Sequence, residues 1–332
     1  MFLFRKGSLP VLIALTVQNT SLVICLKLTF KGDDASYAPS TVVLLVEVFK
    51  LCLCSCVVVI ERASQGLSEV VTQIANQGSL FVPSMLYVVQ SHLLFYGAER
   101  LPSLTYVLCS QLKILTTAVM SRALLGTLLS PSQYASLAVL MLGIVIVQLQ
   151  GKADSSHVEV DAASRMLGVT AVVLAAWTSG TAGVFLEKIF KASCMDGPVL
   201  HTIWTRNVQL SLVSIPFAGC GVLLQSSEQT FSGRFFEGYN ATVWLVIILQ
   251  AAGGIIVSLV MKHANSILKN MAVAISICCC ATYSVITGEL QLSSSLIFGI
   301  CCVCASVFGY SHFQFTLPRP GKQNVITAGD TV

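Results

Sequence analysis

Long apolar runs separated by short polar stretches make up the chain from residue 9 to residue 312. A helix needs roughly 20 apolar residues to cross the hydrocarbon core of a bilayer, so each run predicts one membrane-spanning helix. The first run is too long for the core of a signal peptide, so we expect it to be retained. Ten spans are predicted, at residues 9–28, 39–60, 80–98, 102–125, 131–150, 165–190, 200–225, 241–261, 265–287 and 293–312.

A polar connector at residues 151–164 divides the chain nearly in half. Residues 1–150 and 165–313 then hold five predicted spans each, and residues 314–332 form a polar tail that we expect to be flexible. Lys113 and Lys269 have similar settings, because each lies near the start of the fourth helix of its half. Repeats with an odd number of spans run in opposite directions across the membrane. We therefore predict an all-α membrane protein of ten transmembrane helices, built from two inverted five-helix repeats.

The composition supports membrane embedding. Hydrophobic residues make up 55% of the chain and charged residues 10%, with a mean hydropathy of +0.81. Soluble domains carry about 25% charged residues. The 13 cysteines lie almost entirely in apolar runs, which indicates packing residues and not a disulfide scaffold. Lys and Arg are more frequent in the loops on the side that holds both termini, and this predicts cytosolic termini.

After the basic residues near the span ends are assigned to the loops, four remain within the predicted spans, namely Lys50, Lys113, Arg206 and Lys269. Glu47 is the acid that we assign to the membrane interior with them, which leaves this region with a formal charge of +3. A lysine at the bilayer centre costs about 2.5–3.5 kcal/mol on insertion scales. Arg206 can extend to the membrane surface, and Lys50 can pair with Glu47 one helical turn away. Lys113 and Lys269 have no such partner in the sequence, so we expect them to bind an anion.

Polar residues at helical spacing accompany the lysines. On the fourth span they form one stripe with Lys113, and further stripes lie on the third, seventh and ninth spans. Single hydroxyl or amide groups in a helix bundle often serve only to hold helices together. Their coincidence with two buried lysines indicates a ligand that combines phosphate with a base and sugar hydroxyls. The stripes contain Tyr106, Cys109, Ser110, Thr116 and Thr117; Tyr87, Gln90 and Ser91; Trp204, Asn207, Ser211 and Ser214; and Ser276, Cys280 and Tyr283.

Several of these stretches, taken in order, resemble the nucleotide-sugar transporters of the Golgi, which belong to the drug/metabolite transporter superfamily. The resemblance covers most of residues 9–310, and its strength lies in the ordered set. The matching stretches are residues 40–51, 87–90, 106–118, 180–188, 204–209, 253–254 and 262–269, among them Gln111-Leu-Lys-Ile-Leu-Thr-Thr117 and Trp204-Thr-Arg-Asn-Val-Gln209.

The resemblance implies exchange of a cytosolic nucleotide sugar for a lumenal nucleoside monophosphate, and it implies roles for ten residues. Lys113 and Lys269 would lie at the phosphates, and Tyr87, Ser91, Asn207 and Ser258 around the nucleoside. Tyr106 and Gln111 would lie near the substrate, and Lys50 with Glu47 near the sugar end or a gate. Two departures leave base and sugar selectivity open. Ser91 and His92 stand where relatives usually have two asparagines, and Ser211 stands where an aromatic residue is common.

The stretches around Lys113 and Lys269 look more like transporters of UDP-sugars than of CMP-sialic acid. We therefore expect exchange of UDP-galactose, or next UDP-N-acetylglucosamine, for UMP across the Golgi membrane. A CMP-sialic acid/CMP exchanger and an exporter of another phosphorylated metabolite are the alternatives, and the endoplasmic reticulum is the alternative compartment. Whether the protein forms a homodimer stays open.

An enzyme is not expected, because membrane-depth catalysis would need a carboxylate pair or metal ligands, and the five histidines do not cluster in sequence. A scaffold protein would not explain the buried lysines. No P-loop, cofactor or metal site is predicted, and no nucleic acid is expected as a partner.

Overall fold

The computed structural model describes residues 8–29, 37–61, 80–101, 103–150, 162–192, 199–225 and 235–316, a part of the chain that is helical and contains no β-strand. Each predicted span has a helix at its position, and the span 102–125 has two. These helices are α1 (Ser8–Thr29), α2 (Pro39–Glu61), α3 (Phe81–Arg100), α4 (Ser103–Gln111), α5 (Lys113–Leu125), α6 (Pro131–Gln150), α7 (Ala162–Ala192), α8 (Val199–Gln225), α9 (Ala241–His263), α10 (Ser266–Ile286) and α11 (Ser294–Thr316).

The predicted connector and tail lie mainly outside the described residues, since 151–161 and 317–332 are not among them. Helix α7 begins at Ala162 and α11 continues to Thr316. The helices therefore extend past the predicted boundaries at 165 and 313.

Seven helices of the described chain are long and apolar enough to cross a membrane, namely α1, α2, α6, α7, α9, α10 and α11. Helix α3 has a shorter apolar segment, and α4 and α5 contain 9 and 13 residues. Large apolar side chains such as Ile60, Ile286 and Phe308 point outward and are more than two-thirds exposed. An exposed apolar surface of this kind suits contact with lipid. The ten-span topology stays a prediction.

The helices pack in a pattern that repeats between the two halves. The most extensive contacts in the described chain join α6 with α11, α3 with α7, α2 with α8, α1 with α9, α5 with α7, and α1 with α10. Helices at the same place in the two halves are counterparts, so α1 corresponds to α7, α2 to α8, α3 to α9, α5 to α10 and α6 to α11. Replacing each helix by its counterpart turns the α3–α7 contact into the α9–α1 contact, and the α5–α7 contact into the α10–α1 contact. The remaining two contacts map onto themselves. Two structural repeats related by a twofold axis predict this pattern.

The predicted span 102–125 is not one continuous helix, because α4 ends at Gln111 and α5 begins at Lys113. Leu112 donates its N–H to the carbonyl of Cys109 at 3.2 Å, which is the tighter bonding of a 3₁₀ turn. The hydroxyls of Ser110 and Thr117 bond to backbone carbonyls nearby, at Val107 and Lys113. Such bonds compete with regular helical bonding and often bend helices.

Helices α5 and α10 are anchored in the largest buried apolar cluster, which also contains residues of α1, α6, α9 and α11. Ile114 and Met271 are among its fully buried members. Ile114 directly follows Lys113, and Met271 lies two residues after Lys269. Close packing of this cluster therefore fixes the first turns of both lysine-bearing helices.

Candidate functional site

Lys113 is the first residue of α5, directly after the break at Leu112. Its side chain is partly exposed. Its carbonyl accepts hydrogen bonds from the hydroxyls of Thr116, at 3.2 Å, and Thr117, at 2.5 Å. The first turn of a helix carries N–H groups without helical partners and the positive end of the helix dipole. Lys113 adds a full positive charge to a helix end that already favours an anion.

Lys269 lies in the first turn of α10, which begins at Ser266. The side chain of Asn265 accepts a hydrogen bond from the N–H of Leu268 at 2.8 Å, and this cap starts the helix. The side chain of Lys269 is also partly exposed. Both lysines therefore lie in the first turn of a helix, each beside the positive end of its own helix.

The structure brings Lys113 and Lys269 together. Their charges are close enough to interact. Asn270, next to Lys269, donates from its amide nitrogen to the hydroxyl of Thr117 at 3.2 Å, which joins α10 to α5. Two ammonium groups in a partly dehydrated site repel each other, so the pair is stabilised by any anion placed between them.

Helix α7 packs against both lysine-bearing helices through two glycines one turn apart. A β-carbon built on Gly180 would lie 2.9 Å from both the hydroxyl oxygen of Thr116 and the backbone nitrogen of Thr117. A β-carbon built on Gly183 would lie 3.7 Å from Nζ of Lys269. Gly180 is required for the close approach of α5, whereas Gly183 leaves space beside the ammonium group.

Glu187, on the same face of α7, corrects the charge count made from the sequence. This residue lies inside the predicted span 165–190, and its side chain is 1% exposed. Glu47 is therefore not the sole acid of the interior. Lys262 is also buried, although the predicted boundary at 261 places it outside the membrane. Adding both residues leaves the formal excess of positive charge at +3, but it puts one negative charge beside Lys269.

A second buried polar cluster lies between α2, α8 and α9. Lys50 forms an ion pair with Glu47 at 2.8 Å, as predicted, and its Nζ lies 3.7 Å from a β-carbon built on Gly254. Ser258 donates to Oδ1 of Asn207 at 3.1 Å, and Asn207 donates to the carbonyl of Ile203 at 2.9 Å. Ser258 also bonds to the carbonyl of Gly254. Four predicted site residues thus lie in this cluster, namely Glu47, Lys50, Asn207 and Ser258.

The other predicted site residues lie on α3 and α4. Tyr87 packs against an apolar cluster of α7, α8 and α9. Tyr106 is partly exposed on α4. Gln111 is buried, and its amide nitrogen donates to the side-chain oxygen of Gln148 on α6 at 3.0 Å. Ser91 belongs to α3, but its side chain lies outside the described residues.

Three side chains of the predicted polar stripes have buried polar atoms that make no hydrogen bond to the described residues. They are the amide oxygen of Gln90 on α3, and the indole nitrogen of Trp204 and the hydroxyl of Ser211 on α8. Buried polar atoms in native proteins are nearly always hydrogen-bonded, so each such atom needs a partner. A polar ligand that reaches both α3 and α8 would supply one.

Polar residues of α1 hold the second half of the bundle and are missed by the sequence reasoning. The amide nitrogen of Gln18 donates to the carbonyl of Leu249 at 2.9 Å, against the surface of α9 at Gly253. Asn19 donates to the hydroxyl of Ser276 at 2.5 Å on α10. Five of the six positions 16–21 are polar in this largely apolar helix, and that pattern is the signal available in the sequence.

Known proteins resemble this chain over nearly all of its length. A UDP-galactose transporter of Schizosaccharomyces pombe is 37% identical, and the alignment covers 95% of this chain and 90% of that protein. A UDP-N-acetylglucosamine/UDP-N-acetylgalactosamine transporter of Caenorhabditis elegans is 35% identical, with 92% and 94% covered. A human UDP-N-acetylglucosamine transporter is 33% identical, with 93% and 96% covered.

The fold is also found among solved structures. One crystal structure superimposes with a TM-score of 0.65 at 15% identity, over 94% of this chain and 97% of its own. At that identity the match shows the shared fold. The model of the nucleotide-sugar transporter family matches residues 6–311. The predicted family is confirmed, and the chain belongs to the nucleotide-sugar transporters.

Proposed function

We propose that the protein is an antiporter that carries a UDP-sugar from the cytosol to the Golgi lumen in exchange for UMP. UDP-galactose is the favoured substrate and UDP-N-acetylglucosamine the next. The observation that carries the proposal is the pair formed by Lys113 and Lys269 at the starts of α5 and α10. The three relatives support the UDP-sugar, since each is named as a transporter of UDP-galactose or of UDP-N-acetylhexosamines.

The phosphates of the substrate would bind between the two lysines. A pyrophosphate or monophosphate group brings about two negative charges at pH 7, which matches two ammonium groups. The two helix N-termini add partial positive charge and N–H donors, as in other helix-terminal anion sites. Lysine offers a compact charge with three donors, so it can follow the phosphate when the surrounding helices move.

The nucleoside would extend from the phosphates towards α3 and α8. The buried polar atoms of Gln90, Trp204 and Ser211 that lack a partner in the described chain support this direction. The bonded pair of Asn207 and Ser258 adds a polar surface at the α8–α9 contact. Tyr87 adds an aromatic ring on α3, and Lys50 with Glu47 would face the sugar end.

Transport would proceed by alternating access. The packing pattern that maps one half onto the other supports two repeats, which we propose to be inverted across ten spans with both termini cytosolic. The site lies where α5 and α7 meet α10, and therefore at the junction of the halves. An empty site must close around an excess of positive charge, which the bound phosphate compensates. The protein would therefore convert readily between its inward-facing and outward-facing conformations only when a substrate is bound. This requirement couples the entry of one substrate to the exit of the other.

The base and the coupling can be tested with the purified wild-type chain. UMP should raise its melting temperature more than CMP, GMP or inorganic phosphate does, and vesicles preloaded with UMP should take up UDP-galactose. A larger shift with CMP would favour the CMP-sialic acid alternative. Stabilisation by phosphate or triose phosphate without any response to UMP would favour the exporter of another phosphorylated metabolite. Membership in a transporter family already indicates a role without catalysis.

A further inference from the structure

Glu187 is a buried carboxylate that the proposed transport site does not use. Its side chain is 1% exposed and lies on α7 among helices long enough to span a membrane. Burying an ionised carboxylate costs several kcal/mol unless charges and hydrogen bonds compensate it. The position of Glu187 therefore calls for a reason in the charges around it.

The contacts of Glu187 place it at the start of α10. One carboxylate oxygen accepts a hydrogen bond from the backbone N–H of Ser266 at 2.7 Å. Gly183 lies one turn earlier on α7, and a β-carbon built there would lie 3.6 Å from the Ser266 hydroxyl and 3.7 Å from Nζ of Lys269. The charges of Glu187 and Lys269 interact. The carboxylate thus occupies the helix end at which an anionic ligand would bind.

We propose that Glu187 is a resident counter-anion of the phosphate site. It neutralises Lys269 and caps α10 when the site is empty, and it repels the phosphate when the site is loaded. The inference rests on the proposed function, because it needs Lys113 and Lys269 to hold a phosphate. With Glu187 the empty site carries a formal +1 in place of +2. A monophosphate with a charge of about −2 then brings the loaded site to about −1 in place of 0.

This arrangement limits affinity and favours release. Without Glu187, the ligand would neutralise the site completely and dissociate slowly. With Glu187, the empty and loaded sites carry charges of similar size and opposite sign. The loaded site is then not strongly trapped, which suits a carrier that must release its ligand on each side of the membrane.

Lys191 adjusts the strength of this effect. It lies one turn after Glu187, its ammonium group donates to the second carboxylate oxygen, and its side chain is 42% exposed. Because Lys191 draws part of the carboxylate charge towards the solvent side, it weakens the repulsion that reaches the phosphate. Removing Lys191 should therefore have the opposite effect to removing the charge of Glu187.

The test is the dissociation constant of UMP for the purified full-length chain and three single variants. Glu187→Gln keeps an oxygen that can accept from Ser266 and removes the charge, so UMP should bind about tenfold more tightly. Lys191→Gln should bind UMP about two- to threefold more weakly, because a partly exposed charge is screened. The matched control is Glu289→Gln, the same change after the opposite end of α10, about 30 Å from Ser266, and it should leave the constant unchanged. In vesicles, Glu187→Gln should exchange more slowly at saturating substrate.

Opposite shifts in the two variants distinguish a counter-anion from a helix cap. A lowered melting temperature with unchanged or weaker UMP binding in Glu187→Gln would overturn the inference and leave the proposed function intact. If Glu187→Gln does not fold, Lys191→Gln decides alone, and unchanged or tighter binding there would overturn the inference. A wild-type chain that binds no nucleoside monophosphate would overturn the proposed function and the inference with it.

Discussion

Two buried polar regions of the molecule contain lysine, and they differ in how the charge is balanced. At the α2–α8–α9 region, Lys50 is paired with Glu47, and Asn207 and Ser258 bond to each other. At the α5–α7–α10 region, two lysines, Lys113 and Lys269, lie near a single acid, Glu187, whose charge interacts with Lys269 and which bonds to Lys191. In the first region the charge of the lysine is balanced by a neighbouring acid. The second keeps an excess positive charge, and this excess is the reason why we propose it as a site for an anion.

The largest expected effect is the loss of exchange when either lysine of the excess-charge region is removed. Lys113→Ala or Lys269→Ala should reduce UMP-driven uptake of UDP-sugar by about 100-fold, because each removes a charged hydrogen-bond donor to the phosphate. The melting temperature without ligand should stay equal or rise, since repulsion between the ammonium groups is removed. Proteoliposome uptake and thermal melting measure the two quantities.

The matched control for these variants is Lys188→Ala, an exposed lysine on α7. It should exchange at the wild-type rate. Wild-type exchange in Lys113→Ala or Lys269→Ala would show that the excess charge does not serve substrate binding.

In the α2–α8–α9 region, where Lys50 is paired with Glu47, removing a charge should lower the stability of the protein. Glu47→Gln or Lys50→Met alone leaves one charge unpaired in a buried setting and should lower the free energy of unfolding by about 3 kcal/mol. The double variant should recover most of this loss, so a double-mutant cycle should give a coupling of about 1–3 kcal/mol. Chemical or thermal unfolding in detergent measures it. If the losses of the two single variants simply add in the double variant, Glu47 and Lys50 do not stabilise each other.

A smaller effect is expected where α7 approaches the lysine region. Gly180→Ala would place a β-carbon 2.9 Å from the backbone nitrogen of Thr117, so α5 must move. We expect a loss of about 1–3 kcal/mol in the free energy of unfolding and weaker UMP binding. Gly219→Ala is the matched control, because a β-carbon there meets nothing within 4 Å on α8. That variant should be neutral or stabilised by up to about 1 kcal/mol, and equal behaviour of both variants would exclude a tight α5–α7 contact.

The smallest effect concerns one hydrogen bond of the balanced region. Ser258→Ala removes the donor to Oδ1 of Asn207, which is fully buried. Leaving that oxygen without a partner should cost about 1–2 kcal/mol in the free energy of unfolding. If the nucleoside contacts this pair, the affinity for UMP should fall several-fold while the response to inorganic phosphate stays the same. An equal loss of affinity for UMP and for inorganic phosphate would show that Asn207 and Ser258 do not contact the nucleoside.

The sequence predicts the positions of the helices well, because apolar runs are local features. It also singles out both lysines, because a charge inside an apolar run is visible locally. The break at Leu112 is not predicted, since residues 103–125 contain neither glycine nor proline and the break accompanies side chains that bond to the backbone. Glu187 is missed because it stands near Lys188 and Lys191, so its charge looks locally balanced. Its burial depends on the packing of α7 against α10, which no local pattern encodes.

The contrast between the two buried regions depends on the phosphate being held by Lys113 and Lys269. The most direct measurement compares the binding of UMP and uridine by the wild-type chain and by the double variant Lys113→Ala/Lys269→Ala. The wild-type chain should bind UMP far more tightly than uridine, whereas the double variant should bind both equally weakly. A double variant that still prefers UMP over uridine as strongly as the wild type would contradict the account.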